Sequence, residues 1–217
     1  MSSEPRPGTS AYGVVVPLKP PAIGKSRLAG LGDAARQDLV TALALDTVAA
    51  VARCPAVHLV LVVTDDVGLA TQVRELSVSA VPDGATGLNA SLRQGAAEVV
   101  RRAPGLRLAA LCGDLPCLGP RDLEAVLGSA PDERTAFVSD AAGIGTTLYL
   151  SPDLARFDPR FGSDSRAAHL AAGGVDLSDS APPAARRDVD TPSDLRAALL
   201  IGTGPRTART AAQLGIG

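Results

Sequence analysis

Three stretches of this chain carry charges of the type and spacing that phosphate chemistry needs. Residues 19–31 (KPPAIGKSRLAGL) hold Lys19, Lys25 and Arg27, with Gly24 giving the backbone freedom. They follow a β-branched run and precede a helix, a place where phosphates commonly bind. Gly24-Lys25-Ser26 resembles the end of a P-loop, but the full motif needs glycine five positions before Gly24, where Lys19 stands. A Walker-type ATPase is therefore disfavoured, and the loop reads either as a seat for a triphosphate or as a solvated basic turn. The second stretch is Gly113-Asp114-Leu115-Pro116, directly after the apolar run Leu106 to Leu111. A carboxylate at the end of a buried strand is costly to leave unpaired, and it suits Mg²⁺, which prefers carboxylate, water and phosphate oxygens. A turn former or helix cap is the plain alternative. The third stretch is Asp188-Val189-Asp190-Thr191-Pro192. Alternation turns Asp188 and Asp190 to one side of an extended segment; capping of the helix that Pro192 opens is the alternative reading. Taken together, two separated carboxylate elements and a basic loop form a constellation for a metal and a triphosphate.

Two further loops are rich in small residues, Gly145-Thr146-Thr147 and Phe161-Gly162-Ser163-Asp164-Ser165. Both put backbone N–H groups and hydroxyls where an anion can sit. His169 lies about one helical turn beyond Ser165 and either lines that pocket, stands behind it or faces solvent. His58, inside an apolar strand, reads as structural. Asn89, near the start of a helix, either reads a base or ribose or caps the helix. Cys54, Cys112 and Cys117 have neither the spacing of a disulfide framework nor the clustered histidines of a zinc site, and read as reduced, partly buried thiols.

The elements that must position these residues are legible in the hydrophobic pattern. Buried strands are expected at Tyr12 to Leu18, Val57 to Val63, Val78 to Val81, Leu106 to Leu111, Thr135 to Ser139 and Thr146 to Leu150. Between them lie helices: about 20 residues capped by Asp33 and stopped by Pro55, then Leu69 to Leu76, Gly87 to Ala103, Pro120 to Leu127, Ser163 to Ala172 and Pro192 to Leu200. Val175 to Asp190 reads as irregular. Residues 1–11 are expected to be disordered, 12–200 to form one domain and 201–217 to be a helical or frayed tail. Strand–helix alternation means an α/β fold with a mostly parallel sheet covered on both faces, and ligands in such sheets sit at the carboxyl ends of the strands. With 217 residues, 46% apolar, a sizeable core is available; aromatics are 2%, so Ala, Val and Leu must build it. A net charge of −2 from 21 basic and 23 acidic residues excludes a nucleic-acid footprint. No apolar run reaches the ~18 residues of a membrane span and no signal peptide precedes the first strand, so a cytoplasmic protein is expected.

In this order, Val16-Pro17-Leu18-Lys19, Gly24-Lys25-Ser26-Arg27-Leu28, Leu88-Asn89, Gly113-Asp114-Leu115-Pro116, Gly145-Thr146, Phe161-Gly162-x-Asp164-Ser165 with His169, and Asp188-Val189-Asp190-Thr191-Pro192 resemble the phospholactate/phosphoenolpyruvate guanylyltransferases of deazaflavin coenzyme (F-420) biosynthesis. The resemblance spans roughly 12–200. It implies a Rossmann-like nucleotidyltransferase (GT-A-like) fold, with GTP and Mg²⁺ as partners. The acceptor would be phosphoenolpyruvate or 2-phospho-L-lactate. By the same resemblance the metal falls on Asp114 and Asp190, with Asp188 beside them, and the acceptor on Thr146, Gly162 and Ser165. Lys19, Lys25, Arg27 and Asn89 would meet the nucleotide, with Lys25, Asp114 and Asp190 carrying catalysis. Abundant Ala and Arg suggest a high-GC bacterial genome, whose members of this family are associated with phosphoenolpyruvate. A homo-oligomer is admitted by the sequence. The competing readings are a molybdopterin or sugar-phosphate nucleotidyltransferase, which leaves 161–169 unexplained, and a non-catalytic GTP-binding regulator, which leaves both carboxylate elements unexplained.

Overall fold

The computed structural model describes residues 11–22, 25, 28 and 32–216. The expected disorder of the first ten residues, and the assignments made for Gly24, Ser26 and Arg27, lie outside the described residues. In chain order the elements are β1 (Tyr12–Pro17), α1 (Asp33–Ala52), β2 (Val57–Val63), α2 (Val67–Glu75), β3 (Ser79–Val81), α3 (Leu88–Arg102), β4 (Arg107–Leu111), α4 (Pro120–Ser129), β5 (Ala136–Ser139), β6 (Thr146–Ser151), α5 (Ser165–Ala171), β7 (Val175–Asp176), α6 (Pro192–Ile201) and α7 (Pro205–Gln213). The strands form one seven-stranded sheet in the order β3-β2-β1-β4-β6-β5-β7. All pairings are parallel except those of β6, which is antiparallel to β4 and β5. The reversal follows from the short 140–145 connection, which has no crossover helix and so can only return the chain antiparallel. The order changes direction between β1 and β4, and their carboxyl ends form the crevice in which ligands of open α/β sheets bind.

Both faces of the sheet are covered. On one, α1, α2 and α4 bury Val48, Leu69 and Leu123 against Val14, Val62, Leu111 and Leu148. On the other, α3 packs Leu92, Ala96 and Val99 against Val15, Leu61 and Leu108, and Phe137, Tyr149 and Phe157 complete the layer. α3 comes unusually close to β1. A Cβ on Gly95 would stand 2.5 Å from Val15 Cγ1 and 2.9 Å from Val63 Cγ2, so only glycine admits this approach.

Several local expectations are corrected. Asp33 is the first residue of α1, whose N-cap is Gly32. His58 is exposed near the start of β2, ahead of the strand's buried half. Within 175–190, read as irregular, lie the two residues of β7 and a 3₁₀ turn at Pro183–Ala185. The tail contains α7, which docks on α1 through the buried Asp46. Its carboxylate accepts from Arg206 N (3.2 Å) and Thr207 N (2.7 Å), satisfying donors that a helix start leaves open. None of the helices among the described residues is long and apolar enough to cross a membrane.

Gly95→Ala should destabilise the protein by about 1–3 kcal/mol, since Val15 and Val63 are stiff, buried side chains with nowhere to go. Gly128→Ala, at an open site on α4 where a new Cβ meets nothing within 4 Å, should stabilise by about 0.5–1 kcal/mol. Urea denaturation of the two variants checks the contrast.

Candidate active site

The site is built where β1, β4 and the segment before α6 end together. From β4 the chain passes through Cys112 and Gly113 to Asp114, and the next residue is fastened to α1: Leu115 N donates to Thr47 Oγ1 (3.0 Å), and Thr47 in turn donates to Leu43 O (2.8 Å). The 188–190 segment is hung on the same loop by Val189 N donating to Asp114 O (3.2 Å). Val189 is fully buried among Leu28, Leu39, Leu43, Leu195 and Ala198. Alternation then turns its neighbours Asp188 and Asp190 away from that cluster. Helix capping does not use Asp190. Thr191 is the N-cap of α6, with its hydroxyl accepting from Asp194 N (3.2 Å) and Asp194 accepting from Thr191 N (2.9 Å).

The Lys25 ammonium donates to both Asp114 Oδ2 and Asp190 Oδ1. Its side chain is 15% exposed, Asp114 20% and Asp190 47%. The other carboxylate oxygen, Asp114 Oδ1, is buried without a hydrogen-bond partner. Burial alone pulls the Lys25 pKa down, but the two carboxylates outweigh it and hold the ammonium above its ordinary range. Asp188 is pushed up to about 7, first by burial and then by the charges of Asp114 and Asp190, against the opposing pull of Lys25. Burial, with Asp114 next, likewise raises the Cys112 thiol, so it stays protonated. Among the described residues no group of three or more His, Cys, Asp or Glu side chains is arranged to hold a metal ion. What the fold offers is the Asp114–Asp190 pair, and Mg²⁺ is commonly bound by one or two carboxylates plus substrate phosphates.

Two cavities open at this edge of the sheet. One, of about 410 Å³, is lined by Lys19, Lys25, Leu88, Gly113, Asp114 and Asp190 among others. The second, of about 330 Å³, shares Pro17, Leu18, Lys19 and Leu88 with it and reaches Asp65, Asp83 and Ser91. Thr146, Gly162 and Ser165 line neither. Thr146 and Ser165 are buried around His169, one strand over from Asp114, while Gly162 is exposed with φ +147°. The link between the two regions is direct: Cys112 N donates to Thr147 O (2.9 Å) and Cys112 Sγ lies 3.4 Å from Thr146 O.

The family described as "Guanylyl transferase CofC like" matches residues 12–217. The chain belongs to that family. It is 46% identical over 204 residues to a phosphoenolpyruvate guanylyltransferase of Thermomonospora curvata, covering 94% of this chain and 90% of the relative. It is 48% identical over 203 residues to one of Streptomyces coelicolor, covering 93% and 96%. A nucleotidyl transferase from Methanothermobacter shares the fold, with a TM-score of 0.61 at 22% identity over 89% of this chain and 98% of that one. A 4-diphosphocytidyl-2C-methyl-D-erythritol synthase does so with a TM-score of 0.58 at 15% identity over 88% and 98%. The Rossmann-like nucleotidyltransferase fold and the guanylyl-transferase family expected from the motifs are therefore both present.

In this guanylyl transferase Asn89 does not cap its helix. Its amide donates to Phe161 O (2.9 Å) and accepts from Phe161 N (2.8 Å), so it latches the 161–165 loop to α3. Helix α3 begins after Gly87 without a side-chain cap. Sequence reasoning also missed Arg186. Its guanidinium donates to Ser139 O (3.2 Å), Ser178 O (3.2 Å), Ser139 Oγ (3.2 Å) and Asp140 O (2.9 Å), anchoring the chain two residues before Asp188. No local pattern distinguishes it from Arg187 beside it.

Asp188 yields a pH prediction. Its folded-state pKa lies above that of an unfolded aspartate, so the native state holds the extra proton between about pH 4 and 7. Stability must then fall as pH rises through that window, because the native state binds more protons than the unfolded one. In metal-free protein, Asp188→Asn should flatten this fall, as read from Tm between pH 5 and 8. An unchanged slope would remove Asp188 as its source.

Proposed function

We propose that this chain transfers GMP from GTP to phosphoenolpyruvate and releases pyrophosphate, as a cytoplasmic step of deazaflavin coenzyme F-420 assembly, and that Asp114 and Asp190 would hold the Mg²⁺ it uses. The acceptor rests on the names of the relatives at 46% and 48% identity. The metal rests on one observation: Asp114 and Asp190, from distant parts of the chain, converge on a single ammonium, and the inner oxygen of Asp114 has no partner. With Asp188 ionised, three carboxylates face one lysine, a net charge that suits a divalent cation. Bound there, Mg²⁺ would neutralise and orient the triphosphate. Three free thiols accord with a reducing compartment.

The chain's own residues divide the remaining work. Lys25, between the carboxylates, and Lys19, on the rim shared by both cavities, supply positive charge to the β- and γ-phosphates. The 330 Å³ cavity beside Leu88 suits the nucleoside. Thr146, Gly162 and Ser165 receive the acceptor. Its phosphate oxygen attacks the α-phosphorus of GTP and pyrophosphate leaves in line. A phosphate monoester has a second pKa of about 6, so the nucleophile is already a dianion at neutral pH and needs no general base. His169 accordingly has no base role: both its ring nitrogens are engaged, and burial depresses its pKa to about 4. Catalysis is then positioning and electrostatics, as in phosphoryl transfer generally.

Pyrophosphate release over four nucleoside triphosphates, each with phosphoenolpyruvate and with 2-phospho-L-lactate, tests the reading. GTP with phosphoenolpyruvate should be fastest. The two acceptors differ in the geometry of one carbon, a distinction worth about 1–3 kcal/mol, or 10–200-fold. A dominant phospholactate product would replace the acceptor and leave the guanylyl transfer standing. Asp114→Asn and Asp190→Asn should each lower turnover about a hundredfold or more. EDTA should abolish it and Mg²⁺ restore it. Mg²⁺ should raise the Tm of the native protein but not of Asp114→Asn; equal shifts in both would place the metal elsewhere. Lys25→Ala should raise the KM for GTP more than that for the acceptor.

A further inference from the structure

His169 is buried and takes no direct part in the reaction proposed above. It lies in α5 with 1% of its surface exposed. Its ring stacks on Tyr149 (centroids 4.9 Å apart, 25° between planes) and Phe137 (5.4 Å, 26°), and Phe161 meets it edge-on at 5.8 Å. Nε2 lies 2.9 Å from Arg160 N and Nδ1 lies 3.0 Å from Thr146 Oγ1. A backbone N–H can only donate, so Nε2 must present its lone pair to Arg160. In a neutral imidazole the single proton is then on Nδ1. An Nδ1–H cannot accept; it is shared between the Ser165 carbonyl and the Thr146 hydroxyl, and in either case the hydroxyl hydrogen must point elsewhere. Among the described residues no carbonyl or carboxylate takes it.

Thr146 reaches His169 because of an irregularity in the sheet. The β5–β6 register shifts between Val138 and Ser139, so that Leu148 faces Val138 but Thr146 faces Ser139. Thr147 is the extra residue, and its hydroxyl bonds to Ala185 O (2.7 Å) in the α1-side core. Without the bulge, Thr146 would share the face of Leu148; with it, Thr146 turns to the side of Tyr149 and His169. Bulges re-aim side chains in this way beside active sites.

We infer that His169 is a positioning residue whose fixed Nδ1–H tautomer forces the Thr146 hydroxyl to donate into the acceptor pocket, selecting an unprotonated carboxylate or phosphate oxygen there. The inference rests on the acceptor placement under Proposed function. The same contacts order the rest of the pocket: Arg160 N is held by His169 and Phe161 by Asn89, so the two residues before Gly162 are both pinned.

Long-range ¹H–¹⁵N NMR of ¹⁵N-histidine-labelled native protein, with His58 assigned through His58→Gln, reads the tautomer directly. A neutral Nδ1–H ring is expected at pH 7, unchanged when phosphoenolpyruvate is added. An Nε2–H ring or an imidazolium overturns the proposal whatever the enzyme's acceptor proves to be. Kinetics then test the consequence. Thr146→Val should raise the phosphoenolpyruvate KM about tenfold or more, as loss of a hydrogen bond to a charged group does, with the GTP KM little changed. His169→Gln, whose amide reaches towards the Nε2 position, should match it. His169→Asn, which keeps a donor near the Nδ1 position, should recover most of the loss. In a Thr146→Val background His169→Gln should add nothing to the acceptor KM. Additive effects, or an unchanged acceptor KM in Thr146→Val, would overturn the proposal. Absence of any turnover with phosphoenolpyruvate in native protein would instead strike the acceptor assignment, with the tautomer still decided by NMR.

Discussion

Like charges gathered at one edge of a sheet repel unless something positive stands among them, and in this protein that constraint organises the whole carboxyl end of β1 and β4. Asp114, Asp188 and Asp190 come from two segments far apart in sequence, and Lys25 from a third. Their meeting is held by contacts that are not themselves charged. Thr47 fastens the loop of Asp114 to α1, the Val189 amide ties the second segment to that loop, and Arg186 anchors it from the other side. The apolar cluster around Val189 drives the assembly by burial. The charges specify what the assembled edge is for.

Even so, the repulsion is only partly relieved. One lysine stands among three carboxylates, and Asp188, pushed up to about 7 first by burial and then by the charges of Asp114 and Asp190, carries part of the remainder. A buried carboxylate oxygen without a partner, as in Asp114, is a cost that a fold carries only for a reason. Local imbalance of this kind marks functional edges, because a site satisfied in the absence of its ligand gains little by binding it.

The α3 side of the crevice and the 161–165 loop are mechanically joined. α3 is drawn against β1 by the missing side chain of Gly95, and its first turn carries Asn89, which grips both backbone groups of Phe161. A residue expected either to meet a base or ribose or to cap its helix sets the position of the loop on the other side. The polar bridge is short and fully satisfied, which makes such a network specifying rather than merely tolerated.

Sequence by itself determined the parallel α/β layering, the main strands and helices, and the three charged stretches. These depend on local pattern: hydrophobic period, prolines and glycines at the breaks, and carboxylates directly after apolar runs. Motif order was enough to identify the family. Nothing local could decide whether Asp190 capped a helix or faced Lys25, because both uses want the same residue in the same place; the answer lay in Thr191 and Asp194 forming the cap between themselves. Arg186 was illegible because three of its four acceptors lie on β5 and the turn after it, more than forty residues away in sequence. The direction of Thr146 was beyond the pattern for a different reason. Period-two alternation assigns it to the face of Leu148, and only the extra residue accommodated between β5 and β6 turns it to His169. Alternation is a property of a single strand; register is a property of two, and it exists only once the sheet has formed.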